Sequence, residues 1–210
     1  MEIKSLYFNP LRECCYIVWD ETKECVIIDP GCFDANEFSR LDRFISENGL
    51  KPVKILLTHG HFDHIFGIED AAKRWNISIC LHEKDHFQLD FSQNWAREMG
   101  FNIKSYTGPA TDIADGDIIT FGNSFFKAIW TPGHTEGGLC YYSEENKVLF
   151  SGDTLFQGSI GRTDHMKGNN DDMMKSLEKL KKLPADTDVF AGHGYPTTIG
   201  NELATNPFLQ

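Results

Sequence analysis

Apolar positions along this chain follow two rhythms. Short runs of β-branched, aromatic and cysteine residues, Leu6–Phe8, Cys15–Trp19 and Cys25–Ile28, stand between polar turns, which is the pattern of buried strands. Asp29-Pro30-Gly31 breaks the third run, since proline and glycine punctuate regular structure. From Asn36 to Asn48 the period lengthens, and Phe38, Leu41, Phe44 and Ile45 fall on one face of a helix. Val53–Leu57 reads as a strand, Ile65–Trp75 as a helix and Ile77–Leu81 as another strand, while Glu83–Phe101 reads as helix and then irregular chain.

The second half returns to strands at Ile118–Phe121, Phe125–Trp130, Leu139–Tyr142 and Val148–Phe150, joined by turns with Gly or Asn. Asp171–Leu183 is amphipathic, with Met174, Leu177, Leu180 and Leu183 expected inward. Val189–Ala191 is a last short strand before Gly192-His193-Gly194. Strands, helices, strands and helices in that order predict an α/β fold of two sheets in layers, with helices outside. Alternating βαβ units fit poorly, and no G-x-G-x-x-G follows the first strand. With no repeat or low-complexity linker, residues 1–210 read as a single domain.

Composition narrows the function. Twenty basic against 31 acidic residues give a net charge of −11, which argues against a nucleic-acid binder and against an anionic membrane surface. No segment approaches the length of a spanning helix, and the N-terminus has no secretory pattern. The six cysteines (Cys14, Cys15, Cys25, Cys32, Cys80, Cys140) lie mostly in or beside apolar runs, without a C-x-x-C pair. They read as free thiols of a cytoplasmic protein rather than as a disulfide framework.

The densest chemistry is His59-x-His61-x-Asp63-His64, directly after a predicted strand. Residues two apart on extended chain point the same way, so His59 and His61 can share one ion. The chain then turns, which lets Asp63 and His64 project to a second ion, and Gly60 leaves room for a close backbone approach. Three further segments place a metal-competent side chain among small residues after a strand: Pro132-Gly133-His134-Thr135, Ser151-Gly152-Asp153-Thr154 and Ala191-Gly192-His193-Gly194. Five histidines and two aspartates divide into two nitrogen–oxygen shells bridged by one carboxylate, a cage for zinc or iron. His82 and His86, four apart on a predicted helix, read as surface histidines; His165 reads as solvent-exposed, with the rim of the site as the other reading.

His59-x-His61-x-Asp63-His64 followed by His134, Asp153 and His193 resembles the metallo-β-lactamase superfamily over essentially the whole chain. The resemblance implies a four-layer αβ/βα sandwich of two mixed sheets with helices on the outer faces. It implies two divalent metal ions, zinc first, with iron or manganese as other occupants. His59, His61 and His134 would form one site, Asp63, His64 and His193 the other, and Asp153 would bridge them.

Thr131–Thr135, Gly152–Phe156 and Gly158–Asp164 resemble the glyoxalase II branch, which hydrolyses thioesters such as S-lactoylglutathione. Asn201-Glu202 and Asn206–Phe208 resemble its short bacterial relatives, and only 17 residues follow His193, too few for the C-terminal helical domain of the full-length enzymes. The resemblance implies attack by a metal-bridging hydroxide that Asp63 helps to orient. Arg162 falls where that branch carries a basic residue for a carboxylate of the thiol carrier, a task suited to a guanidinium; pairing with Asp164 is its other reading. The expected partner is a small-molecule thioester, with no nucleic acid and no membrane. A mononuclear-iron persulfide dioxygenase, with iron on His59, His134 and Asp153, is the chief rival. A secreted β-lactamase is disfavoured, because the bridging position is Asp153 rather than cysteine.

Overall fold

The first two strands, Glu2–Phe8 (β1) and Glu13–Trp19 (β2), pair antiparallel, and every residue of β2 is buried. Strand side chains alternate between faces, and here both faces have a core. Cys14, Tyr16 and Val18 enter one apolar cluster, while Cys15, Ile17 and Trp19 enter another. A strand covered on both sides loses the polar alternation of a surface strand, which explains the unbroken apolar run. The computed structural model describes residues 1–210.

Glu24–Ile28 (β3) continues the sheet antiparallel to β2. Helix Ala35–Glu47 (α1) starts at Asp34, whose carboxylate accepts from the backbone N–H of Asn36 and Glu37. It buries Leu41 and Ile45 against the outer face of β2 and β3, at about 1.5–3 kcal/mol for each side chain removed from water. Lys51–Leu56 (β4), Ile79–Leu81 (β5) and Ala110–Asp112 (β6) then add in parallel, giving the order β1-β2-β3-β4-β5-β6. Parallel neighbours require crossovers, so this half of the sheet is built from βαβ units, against the expectation from sequence that such units fit poorly.

The crossover after β4 is two helices, Phe62–Ile65 (α2) and Ile68–Trp75 (α3), rather than the one expected over Ile65–Trp75. They part at Gly67, whose N–H donates to Pro30 O at 2.8 Å. The crossover after β5 is a short 3₁₀ turn and helix His86–Glu98 (α4). These helices pack Phe62, Ile65, Ile68, Ala71 and Ala96 on Ile55, Leu57, Ile79 and Leu81.

The second sheet comprises Ile118–Phe121 (β7), Ser124–Trp130 (β8), Leu139–Ser143 (β9), Val148–Gly152 (β10) and two later strands. Leu155–Phe156 (β11) and Ser159–Ile160 (β12) form a small separate hairpin. Helix Asn170–Leu180 (α5) leads to Asp188–Ala191 (β13), Thr197–Thr198 (β14) and helix Ile199–Thr205 (α6), and the sheet order is β14-β13-β10-β9-β8-β7. Both sheets are mixed. The cluster between them includes Tyr16, Val26, Ile28, Phe126, Tyr141 and Phe150. Helix α5 buries Met173, Leu177 and Leu180 on the other face of the second sheet. Met173, not the expected Met174, points inward; Met174 is exposed. The result is four layers: helices, sheet, sheet, helices.

Buried tyrosines tie the sheets at one end. Tyr141 Oη donates to Leu57 O at 2.6 Å, and Tyr16 Oη donates to Ala191 O at 2.5 Å. Leu57 lies two residues before His59, and Ala191 two before His193. The inter-sheet core therefore fixes two of the loops in which the predicted ligands lie. No helix is long and apolar enough to cross a membrane.

Candidate metal centre

Four strand ends meet at this edge. β4 runs into Thr58–His61, β8 into His134, β10 into Asp153 and β13 into His193. His61 is extended (φ −68°, ψ 149°) at the N-cap of α2, and the helical turn that follows carries Asp63 and His64. That turn separates the two pairs of ligand candidates, as the motif spacing required.

The donor atoms of His59, His61 and His134 lie within 4.8 Å of one another, and so do those of Asp63, His64 and His193. Asp153 stands between the triads: Oδ1 is 3.5 Å from His64 Nε2, and Oδ2 is 3.5 Å from His134 Nε2 and 3.8 Å from His193 Nε2. All seven residues named from the sequence are thus brought together.

Buried polar atoms are ordinarily hydrogen-bonded. Here Nε2 of His59, His64 and His134 and Oδ1 of Asp153 are buried without a partner. The other nitrogens of these rings are engaged. His64 Nδ1 meets Asp29 Oδ2 at 3.0 Å, His134 Nδ1 meets Arg162 O at 2.8 Å, and His59 Nδ1 meets Thr58 Oγ1 at 3.1 Å. His193 Nδ1 meets Leu11 O at 3.2 Å. Rings held at Nδ1, with Nε2 lone pairs converging on a carboxylate, are the donor arrangement of a divalent-metal site.

Electrostatics fits the same reading. Burial, reinforced by neighbouring histidines, pushes the pKa of His59 and His61 well down, which keeps them neutral ligands. Burial also lowers His134, partly offset by Asp153. Burial would lower His64 as well, but Asp153, Asp63 and Asp29 raise it to about 10. Three carboxylates thus call for positive charge at this point, and a bound cation competes with that proton.

The profile of the metallo-beta-lactamase superfamily matches residues 10–193. The chain belongs to that superfamily. It is 36% identical to the hydroxyacylglutathione hydrolase GloC of Haemophilus influenzae, covering 100% of this chain and 99% of that protein. The structure of the B3 metallo-beta-lactamase BLEG-1 superposes with a TM-score of 0.91 at 36% identity, covering 100% of both chains. TTHA1623, in a di-iron-bound form, gives 0.89 at 35% identity over 98% of this chain and 100% of that one. ETHE1 of Myxococcus xanthus gives 0.80 at 26% identity over 99% of this chain and 84% of that one.

The remaining sequence candidates sort unevenly. His82 is buried rather than on the surface: it precedes the 3₁₀ turn, accepts from Lys84 N at 3.2 Å and stacks on Trp130 at 5.3 Å. The predicted helix begins only at His86, so the two do not share a helical face. His86 is exposed and meets Asp112 at 2.5 Å. His165 is half-buried at the rim, its ring 4.8 Å from that of His61 and 4.7 Å from that of His134; it is not a free surface histidine. Arg162 is exposed, and its guanidinium is closed by Asp164 at 2.7 and 3.2 Å.

Two positioning residues escaped the sequence reading. Asp29 accepts from Thr58 N at 2.7 Å and Thr58 Oγ1 at 2.5 Å besides holding His64. Its only sequence signal was the Asp-Pro-Gly break. Asp85, fully buried, accepts from Gly60 N, Gly137 N and Thr135 Oγ1 at 2.8–2.9 Å, pinning the loop of His59 and His61 to that of His134. Nothing local in the sequence marks it.

Proposed function

We propose that this protein is a binuclear metal-dependent hydrolase that cleaves thioesters of the S-lactoylglutathione kind. The observation that carries the reading is Asp153, whose two oxygens face histidines of both triads. In this reading His59, His61 and His134 hold one ion, Asp63, His64 and His193 hold the other, and Asp153 serves both. The donors are all nitrogen and oxygen, which suits zinc first and accepts iron or manganese; similarity to the di-iron TTHA1623 supports iron as an occupant. When bound, such ions supply a water acidified from 15.7 to about 7, which is about 12 kcal/mol at 1.36 per unit, and polarise a carbonyl oxygen.

The chain's own residues do the rest. Nδ1 partners hold the rings of His59, His64, His134 and His193 before any ligand arrives, which lowers the ordering cost that falls on the reaction. Asp63 Oδ2, 3.1 Å from His193 Nε2, accepts a hydrogen from the attacking water and orients it. Burial would raise the Asp63 pKa, but in the metal-free chain His64 and His193 hold it far below the usual carboxylate range, and a bound cation would favour the same ionised form, so it stays an acceptor. A thiolate, whose conjugate acid has a pKa of about 8.5, leaves without a proton donor, so the chain needs no general acid.

Six buried, unpaired cysteines support a cytoplasmic setting. The net charge of −11 supports a small-molecule partner over nucleic acid or an anionic membrane. The similarity to ETHE1 keeps one rival: an oxidoreductase with one iron on His59, His134 and Asp153. Such a site leaves Asp63, His64 and His193 without a task, which favours the hydrolase.

The deciding experiment sets hydrolysis of S-lactoylglutathione beside oxygen uptake with glutathione persulfide and cleavage of a chromogenic β-lactam. The hydrolase carries about two ions per chain and cleaves the thioester. Oxygen uptake, or β-lactam cleavage, without thioester cleavage overturns the reading.

A further inference from the structure

The turn between β1 and β2 brings to the metal centre a guanidinium that the reaction above does not use. Asn9 and Arg12 both have left-handed backbones, φ 50° and 58°, which non-glycine residues hold only when the surroundings over-determine them. The surroundings here are the centre itself. Asn9 Nδ2 donates to Asp63 O at 2.9 Å and Gly31 O at 3.0 Å, Leu11 N donates to Asn9 Oδ1 at 3.0 Å, and Leu11 O meets His193 Nδ1 at 3.2 Å. The backbone position of Arg12 is therefore set by two ligand candidates of one triad.

Its side chain is left free. Arg12 makes no ion pair, and its Cζ lies 5.8 Å from the centroid of the Tyr7 ring. Arg162, in contrast, is closed by the fork of Asp164. Arg12 lines a groove of about 510 Å³ together with Tyr7, Leu11, His193, Gly194 and Tyr195. That volume lies within the range of small-molecule sites. Tyr7, Leu11 and Tyr195 leave large apolar surface exposed there, so the groove joins apolar walls, two phenols and one unpaired fork of N–H donors to a histidine of the centre.

We propose that Arg12 is a specificity-determining residue that binds a carboxylate on the thiol-bearing arm of the substrate, laid along this groove. The guanidinium takes a carboxylate through two parallel hydrogen bonds, and the tyrosines and Leu11 cover the chain that leads to the thioester. The inference rests on the thioester reading and assigns to Arg12 the anchoring expected of Arg162.

The test is calorimetric titration of the metal-loaded protein with S-methylglutathione, a thioether that cannot be hydrolysed, and with its dimethyl ester. Arg12→Gln is expected to weaken binding of the acid about tenfold or more, Arg12→Lys less, and Arg162→Gln by under about threefold. The ester should bind wild type and Arg12→Gln alike. Equal binding of acid and ester by the wild type, absence of binding, or an unchanged affinity in Arg12→Gln overturns the assignment. Hydrolysis is read separately. A wild type that binds the acid through Arg12 but cleaves no thioester loses the proposed reaction and keeps the subsite. One that cleaves S-lactoylglutathione while Arg12→Gln binds normally loses the subsite and keeps the reaction.

Discussion

Asp29 Oδ2 lies 3.0 Å from Nδ1 of His64, and the same oxygen takes the hydroxyl hydrogen of Thr58. Thr58 Oγ1 in turn meets His59 Nδ1 at 3.1 Å, so one buried carboxylate orients a histidine from each triad. Removing such an outer partner costs about 10–100-fold in metal affinity. Asp29→Ala should show that loss in competition with a chromophoric chelator. An affinity within twofold of wild type would remove Asp29 from the centre.

Asp85 joins two loops that approach from different sheets. Burial pushes its pKa up to about 6, against the hydrogen bonds from Thr135, Gly60 and Gly137 that lower it. Asp85→Ala leaves two buried N–H groups and a hydroxyl without an acceptor, a cost of about 3 kcal/mol or more. Urea unfolding of the chelator-treated protein measures it. Asp85→Asn keeps the volume and one acceptor and should lose less; equal losses would mean that the single amide oxygen restores nothing and that the stability rests on the full carboxylate.

The ligand candidates were legible because they form a dense local motif and three loops of one style, each after a strand. Asp29 and Asp85 were not, because their work is done across the fold: His64 is 35 residues from Asp29, and Gly137 is 52 from Asp85. The strand runs were legible as apolar segments, but their pairing was not. β3 to β6 add in parallel through crossovers, while β1 to β3 are hairpins. His82 failed for a smaller reason: counting four residues to His86 assumed a helix that begins only there.

Methionine placement in α5 shows the same limit and is directly measurable. Met173 and Met174 lie four and three residues before Leu177, and both spacings suit one helical face. Packing decides: Met173 is fully buried and Met174 is exposed. Met173→Ala should cost about 2–5 kcal/mol in urea unfolding, and Met174→Ala should stay within about 0.5 kcal/mol. The reverse order would mean that α5 is rotated about its axis.

Glu13 is fully buried, with neither carboxylate oxygen hydrogen-bonded. Burial, then the charges of Asp29, Cys14, Asp63 and Asp153, raises its pKa well above 4.5. A group with a raised folded-state pKa contributes stability fully below the unfolded value and loses it as pH rises toward the folded one. Relative to Glu13→Gln, wild type should therefore lose about 1.4 kcal/mol per pH unit above roughly 4.5, until Glu13 ionises in the folded state. Urea unfolding at pH 4, 5 and 6 with a chelator present checks this; a constant offset from the amide is immaterial, because the slope carries the prediction. Parallel curves would mean that Glu13 is solvated.

Gly192 lies where β13 meets the centre, and a Cβ built there would stand 2.2 Å from Asp153 Oδ1 and 2.7 Å from His64 Cε1. His64 cannot retreat easily, since it is held by Asp29, whereas Asp153 Oδ1 has no hydrogen-bond partner to hold it. Gly192→Ala should therefore displace Asp153, cost about 1–3 kcal/mol through overpacking and weaken metal binding at least tenfold, a loss like that of a disturbed outer partner. Gly158→Ala is the control: its φ of 68° is left-handed, but nothing lies within 4 Å of the new methyl. It should cost about 1 kcal/mol of backbone strain and leave metal content unchanged. If both variants bind metal as wild type does, Asp153 is not positioned by Gly192, and the joint between the triads is looser than the packing implies.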